Sequence, residues 1–135
     1  MTSESAGRDK PWLASYEKGV PEFVQYEDVC LPEFLERSAE RFPDRSALNF
    51  QGYRISFRQL KEKVDRFASA LSAFGVNRGD RVALLLPNTI PCVTAYYAVL
   101  KIGAIAVMNN PLYSDRELDH QFNDSGAKLL VTLDL

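Results

Sequence analysis

The sequence predicts an α/β fold in which a short parallel sheet carries helices on both faces and a β-hairpin lies beside it. The first observation is an apolar run, Val82 to Leu86, which follows the turn Arg78-Gly79-Asp80. The second is a helical segment that leads directly into another apolar run, Ala104 to Met108. The third is a pair of short segments around Gln51-Gly52, a dipeptide that is typical of a two-residue hairpin turn.

The two apolar runs and the helix between them form a βαβ unit. A continuous apolar run is typical of a strand that is buried on both faces, and Pro87 ends it because proline cannot donate to a central ladder. Asn88 is predicted to cap the following helix, and Pro91 falls in its first turn, where a missing N–H costs little. The helix is expected over Thr89–Ile102, with Gly103 at a left-handed C-cap.

A third strand is expected near the end of the chain, at about 128–132. The run 81–86 is the most continuously apolar of the three, so it is predicted to be the central strand. The expected order across the sheet is therefore 104–108, 81–86, 128–132. In this order the second crossover runs back across the sheet, so the winding direction should reverse beside the central strand. Each crossover is expected to be right-handed.

The amino-terminal part of the chain has weaker patterns. Residues 1–10 are polar and predicted to be disordered, and residues 11–30 carry scattered aromatic side chains without a period, which favours an extended segment laid over the body. A helix is predicted between the prolines at 32 and 43. The hairpin strands are expected at 47–50 and 53–55.

Two capping boxes mark the starts of two further helices. Ser56 is followed by Gln59 at the spacing in which each residue bonds the backbone of the other, and the helix that begins there should end at Gly75. Ser114 and Glu117 repeat the pattern after the second strand. That helix is short, and its apolar residues are spaced four apart.

Composition limits the classes of function. The chain has 135 residues, enough for one domain with a sizeable core, and its net charge of −2 gives no electrostatic footprint for nucleic acid. No segment reaches the roughly 18 apolar residues of a membrane span, and the first residues do not form a secretory signal. Cys30 and Cys92 have no metal-binding spacing, and His120 is the only histidine. We expect a cytoplasmic chain with reduced thiols.

Side chains at the carboxyl ends of the strands are the candidates for a binding site, because open α/β sheets bind ligands there. Asn88 follows the first strand, and Asn110 and Tyr113 follow the second. Pro111 fixes its own φ and biases the preceding residue to an extended conformation, which makes the loop stiff. The alternative is that Asn109-Asn110-Pro111 only builds the turn before the next helix. No catalytic or metal-binding residue is predicted.

Four segments together carry a family resemblance that covers nearly everything after Trp12. They are Ser38–Asp44 (SAERFPD), Gly79–Leu86 (GDRVALLL), Ala95–Ala104 (AYYAVLKIGA), and Asn110–Tyr113 (NPLY) with Glu117-Leu118. In this order they resemble the amino-terminal part of a long-chain fatty-acid–CoA ligase, an acyl-CoA synthetase of the adenylate-forming, AMP-binding superfamily.

The resemblance implies a flavodoxin-like three-layer subdomain that is truncated relative to the family domain, with residues 11–135 as the amino-terminal part of the large AMP-binding domain. It implies that the parent joins a fatty acid to AMP, releases pyrophosphate and transfers the acyl group to CoA. Its cofactors would be ATP, Mg and CoA, and its partners the fatty acid, the remainder of the ligase polypeptide and, by peripheral contact, a membrane.

The family's catalytic groups are a Ser/Thr/Gly-rich phosphate loop, a Thr-Glu motif, a hinge Asp and a carboxyl-terminal Lys, and none of them is found in these 135 residues. We therefore expect the fragment to bind no cofactor and to be inactive alone. Two alternatives remain open. The chain could act as a non-catalytic binding or interaction module, or it could belong to another adenylate-forming enzyme, such as an aryl-CoA ligase, a luciferase-like enzyme or an adenylation domain.

Overall fold

A computed structural model describes residues 10–134. Its elements follow one another as a 3₁₀ helix Pro11–Ser15, α1 Leu31–Arg41, β1 Ser46–Phe50, β2 Tyr53–Ser56, α2 Phe57–Ala73, β3 Arg81–Leu85, α3 Ile90–Lys101, β4 Ile105–Asn109, α4 Asp115–Ser125 and β5 Leu129–Thr132. β1 and β2 form an antiparallel hairpin, and the other three strands form a separate sheet.

The three-stranded sheet is parallel and has the order β4–β3–β5, which confirms the predicted order with β3 at the centre. In register, Ala83 lies opposite Val107 on one side and Leu130 on the other. Val82, Ala83 and Leu84 have no exposed surface, as expected for a central strand that is covered on both faces.

The helices form two layers around this sheet. The crossover from β3 to β4 runs in one direction across the sheet, and the crossover from β4 to β5 runs in the other, so right-handed connections place α3 and α4 on opposite faces. The main core lies on the α3 side, where α1 and α2 also pack and where Val82, Leu84 and Leu86 point. The α4 layer is thinner, and its apolar residues Leu118 and Phe122 are half-buried.

Local turn and cap signals lie where the sequence predicts them. Gln51 and Gly52 both have positive φ, 49° and 86°, the conformation that a two-residue hairpin of type I′ requires. The Gln59 amide donates to Ser56 Oγ at 3.2 Å, and the Ser56 amide donates to Gln59 Oε1 at 2.9 Å, so the capping box at the start of α2 is complete. These contacts satisfy amide groups that a helix start leaves without partners.

Some expectations need correction. The segment 11–30 begins with a 3₁₀ helix, and its aromatic side chains, Phe23 and Tyr26 among them, are exposed because no apolar surface covers them. Residues 1–9 of the predicted disordered tail lie outside the described residues, whereas the Lys10 ammonium lies 3.8 Å from the ring centroid of Phe23. Phe74 is the C-cap of α2, just before Gly75, and is 77% exposed, although its spacing continues the apolar face of that helix.

The two cysteines are in different surroundings. Cys30 is exposed before α1, and Cys92 is buried in α3, where burial raises the pKa of its thiol. Both are free thiols. Within residues 10–134, no helix has the combination of length and apolarity that crossing a bilayer requires.

Candidate functional site

The carboxyl edge of the parallel sheet is the candidate site. β3 and β4 are parallel and in register, so the chain leaves both strands at the same edge, through Leu86–Thr89 after β3 and Asn110–Ser114 after β4. Asn88, Asn110 and Tyr113 therefore lie at one edge, as predicted. The structure joins two of them, because the Tyr113 amide donates to the Asn110 carbonyl at 3.0 Å.

Asn88 does not cap α3, so this prediction is wrong. The N-cap is Thr89, whose backbone is extended and whose carbonyl accepts the first helical bond, from Val93 at 3.2 Å. The Thr89 hydroxyl donates back to the Pro87 carbonyl at 3.1 Å, and the Thr89 side chain makes no capping hydrogen bond to the backbone of α3. The helix therefore begins one residue later than a cap at Asn88 would place it, and Asn88 is exposed at the edge of the sheet.

Asn110 and Tyr113 lie in a tight turn. Asn110 Oδ1 accepts a hydrogen bond from the Leu112 amide at 3.0 Å, which is an Asx-turn. The Asn110 residue itself is exposed and Tyr113 is half-buried. Tyr113 borders a shallow surface depression on α4 together with Arg116 and His120. The Asn110 side chain therefore builds the turn, while Tyr113 faces a surface that a ligand can reach.

The start of α4 anchors this turn. The Ser114 amide donates to Glu117 Oε2 at 2.8 Å, and the Ser114 hydroxyl donates to the same oxygen at 2.7 Å. The hydroxyl bond and then the amide bond lower the pKa of Glu117, because both favour the ionised carboxylate. A carboxylate in the first turn also interacts favourably with the helix dipole.

Asn109 also lies at this edge, although the sequence analysis placed it only in the turn and not among the candidate binding residues. It is the last residue of β4 and is only 5% exposed. Its Nδ2 donates to the Val107 carbonyl at 2.8 Å, and this bond fixes the orientation of the amide, yet the buried Oδ1 has no hydrogen-bond partner among the described residues. The sequence does contain a signal for this burial. If the strand is continued by one residue, the alternation of side chains places Asn109 on the same face of the sheet as Ile105 and Val107.

A larger groove opens beside the sheet. It has a volume of about 820 Å³ and lies between the hairpin, α2, the start of α3 and the end of β5. Its lining is largely apolar, with Phe67, Ala70 and Leu133 among the contributors, but α2 also places Lys63 and Arg66 there. The spacing of those two cations on one helix was visible in the sequence, and so was β5, but not that α2 and the end of β5 would border one groove.

One charged cluster lies away from the edge and holds the helical layer together. Lys101 on α3 donates to Glu36 on α1 at 2.6 Å and to Asp65 on α2 at 2.5 Å, and Lys61 donates to Asp65 at 2.6 Å. Burial works to raise the pKa of Asp65, but the bonds from Lys101 and Lys61 outweigh it and lower the pKa. For Lys101, burial works to lower the pKa, and its two carboxylate partners raise it. The cluster links α1, α2 and α3 through ion pairs.

The fold and this edge define an α/β subdomain of the kind that binds small molecules outside the carboxyl ends of its strands. A family model described as AMP-binding enzyme matches residues 35–135, and the chain belongs to this family. The match confirms the resemblance seen in the sequence.

Three similar proteins illustrate the relationship. The chain is 40% identical over 126 residues to a long-chain-fatty-acid–CoA ligase of Bacillus subtilis, a match that covers 93% of this chain and 22% of that protein. It superposes with a TM-score of 0.75 and 29% identity on the NpsA N-terminal subdomain of Klebsiella oxytoca in complex with 3-hydroxyanthranilyl-AMSN, covering 78% of this chain and 27% of the other. The N-terminal domain of FACL13 from Mycobacterium tuberculosis gives 0.72 and 31%, with 76% and 26% covered.

These matches confirm the predicted fold class. The structural neighbours are N-terminal subdomains of adenylate-forming enzymes, and they share the α/β arrangement of a small hairpin and an open parallel sheet. The chain spans less than a quarter of the Bacillus subtilis ligase that it matches.

Proposed function

We propose that the chain is the amino-terminal part of an ATP-dependent fatty-acid–CoA ligase. The parent would convert fatty acid, ATP and CoA into acyl-CoA, AMP and pyrophosphate through an acyl-adenylate. The observation that carries this proposal is the 40% identity to a long-chain-fatty-acid–CoA ligase over 93% of the chain.

Within such a ligase, residues 11–135 would supply scaffold and one wall of the substrate cleft. Asn88, Asn110 and Tyr113 are the candidates for that wall because all three follow strands at the carboxyl edge of the sheet. The turn between Asn110 and Tyr113 is held by hydrogen bonds of its own, so it can present Tyr113 to an acyl or CoA group at low entropic cost.

The chain alone is proposed to be inactive. The described residues at the sheet edge offer side-chain amides, the hydroxyls of Thr89 and Ser114 and the phenol of Tyr113, and the seven glycines of the sequence are too scattered to form a phosphate loop. These groups do not fit a triphosphate by themselves, so the proposal assigns no phosphoryl-transfer step to the residues of this chain. ATP, Mg and CoA would be held by the rest of the polypeptide, in a cytoplasmic enzyme that contacts membranes peripherally.

A second candidate is an aryl-acid adenylating enzyme. It is favoured by the structural match to the NpsA subdomain, whose complex holds 3-hydroxyanthranilyl-AMSN. Its 29% identity is lower than the 40% shared with the fatty-acid ligase, and for that reason we place it second.

A chimeric enzyme tests the proposal. The chain replaces the matched 126 residues of the Bacillus subtilis ligase, and ATP–pyrophosphate exchange is measured with a long-chain fatty acid and with 3-hydroxyanthranilate. We expect exchange that depends on the fatty acid in the chimera, and none from the 135-residue chain alone. A folded chimera that responds only to the aryl acid supports the second candidate. A folded chimera inactive with both acids, or exchange by the isolated chain, overturns the proposal.

A further inference from the structure

The groove beside β5 has the size and the lining of a site for an apolar small molecule. Leu86, Ile90 and Ala95 line it and are buried, and Phe67 and Ala70 border it from α2. Its volume of about 820 Å³ lies within the range of roughly 300–1,000 Å³ that is usual for ligand sites in proteins. Such a lining favours a ligand that removes its own apolar surface from water.

The charged groups of the groove have a single sign. Lys63 and Arg66 line it, and no Asp or Glu of residues 10–134 does. Neither cation has an ion pair among the described residues, whereas Arg58 and Lys61 of the same helix each have a carboxylate partner. Residues three apart on a helix are neighbours on its surface, so both cations can reach one anion. The pair therefore favours a ligand that carries a carboxylate.

The order of these residues along α2 separates the cations from the apolar surface. Lys63, Arg66, Phe67 and Ala70 all line the groove, and their spacing is that of one helix face. Because a helix rises about 1.5 Å per residue, this stripe is about 10 Å long, with the cations toward its amino-terminal end and Ala70 at the other end. A matching ligand has an anionic group at one end and an apolar tail that extends away from it. A fatty acid has this form.

We propose that the groove is a site at which the chain by itself binds a free fatty acid as its carboxylate. The carboxylate accepts hydrogen bonds from Lys63 Nζ and from the Arg66 guanidinium, and the alkyl chain lies over Phe67 and Ala70. The candidate residues at the carboxyl edge of the sheet are not in the lining, so the groove is separate from the turn after β4. The inference goes beyond the proposed function, because it concerns binding by these residues without the rest of a ligase. Its failure would leave the result of the chimera experiment unchanged.

Isothermal titration calorimetry of the 135-residue chain tests the site. The ligands are decanoate and dodecanoate below their micelle concentrations, 1-decanol as the uncharged analogue and decyltrimethylammonium as the analogue of opposite charge. Three variants are compared with the wild type, and circular dichroism shows whether each remains folded. They are Lys63→Gln with Arg66→Gln, which removes both cations, Ala70→Phe, which fills the groove, and Arg54→Gln with Arg58→Gln, a control that removes two exposed cations outside the lining.

We expect the wild type to bind decanoate about tenfold or more tightly than either analogue, because only the carboxylate gains charge-assisted hydrogen bonds. Dodecanoate should bind more tightly still, by up to about fourfold for each added methylene that is buried. Removing both groove cations should lower the affinity for decanoate about tenfold or more and leave that for 1-decanol unchanged. Ala70→Phe should weaken the binding of decanoate and 1-decanol alike, and the control pair should alter neither.

Equal affinity for decanoate and 1-decanol would overturn the proposal, because the cations would then have no role in binding. So would a folded variant, either the one without the groove cations or Ala70→Phe, that binds decanoate like the wild type. Two results with no decanoate binding identify another occupant and also overturn it. Elution of the wild type as a dimer shows that a second copy fills the groove, and co-sedimentation with phosphatidylglycerol vesicles shows that a lipid surface does.

Discussion

Replacing Asn109 by leucine should leave the fold as stable as before or make it more stable, although the side chain is buried in a strand of the sheet. Asn109 makes one side-chain hydrogen bond, from Nδ2 to the Val107 carbonyl at 2.8 Å. Its Oδ1 is buried without a hydrogen-bond partner among the described residues. The substitution therefore removes one satisfied group and one unsatisfied group together.

The two effects differ in size. Losing the bond to Val107 costs about 1 kcal/mol, the usual net value of an intramolecular hydrogen bond. Removing a buried acceptor that has no donor recovers about 1–3 kcal/mol. Leucine has the same number and branching of side-chain heavy atoms as asparagine, although its methyl groups are bulkier, and it adds apolar surface to a buried position. Asn109→Leu should therefore raise the free energy of unfolding by roughly 1 kcal/mol. Asn109→Asp should lower it by at least about 3 kcal/mol at neutral pH, because it buries a charge where the described residues offer Oδ1 no donor.

Urea denaturation of the 135-residue chain, followed by circular dichroism, measures both differences. The aspartate variant serves as the control for a position that is truly buried, and its defect should shrink at acidic pH as the carboxyl becomes neutral. A leucine variant that loses more than about 1 kcal/mol would contradict this reasoning, because the gain from removing an unsatisfied acceptor would then be absent or outweighed by overpacking. In the chimera, a stabilised leucine variant with reduced exchange activity would mark Asn109 as a residue kept for function.

Two further predictions concern the helical layer and the turn. Lys101→Met should lower the free energy of unfolding by about 1 kcal/mol at neutral pH, since it breaks two partly exposed ion pairs. Because the pKa of Asp65 is lowered by its partners despite burial, this contribution is present above the ordinary value of 3.8 and should fade in urea titrations as pH drops through the lower folded value. In the chimera, Tyr113→Ala should lower kcat/KM for fatty acid or CoA without changing Tm, whereas Asn110→Ala should cost about 1 kcal/mol of stability through the lost Asx-turn bond. If both variants melt early and keep wild-type kcat/KM at low temperature, the turn has only a structural role.

Features that depend on a few neighbouring residues could be predicted from the sequence. The hairpin at Gln51-Gly52 needs two residues with positive φ, and the capping box needs only Ser56 and Gln59. The central position of β3 follows from its own uninterrupted apolar residues. These signals are local, so distant contacts do not change them.

Features that depend on distant contacts could not be predicted. Lys101 bonds Glu36 across 65 residues of sequence and Asp65 across 36, and no pattern within the α3 segment specifies those partners. The groove needs the hairpin, two helices and β5 together. The error at Asn88 has a different origin, because Thr89 is also a common capping residue and the helix begins after it, one position later than asparagine's preference for the cap suggests.

The turn after β4 is held at nearly every residue. Asn109 pairs in register with Leu85, and the next residue, Asn110, accepts amide bonds through both its side chain and its carbonyl. Ser114 then donates twice to Glu117 at the start of α4. Moving this turn requires breaking several of these bonds at once, so its geometry exists before any ligand arrives.

The groove beside β5 is the opposite case, because residues 10–134 leave an apolar surface and an open strand edge uncovered there. A fixed turn suits recognition of a small molecule, and an uncovered edge suits folding against more polypeptide. The two surfaces should therefore respond independently to substitution. In the chimera, Tyr113→Ala should alter substrate use while the enzyme remains folded, and Ala70→Glu, which places a charge in the apolar groove, should lower stability while the turn remains intact. Variants that failed in both respects would show that the sheet edge and the groove form one continuous site.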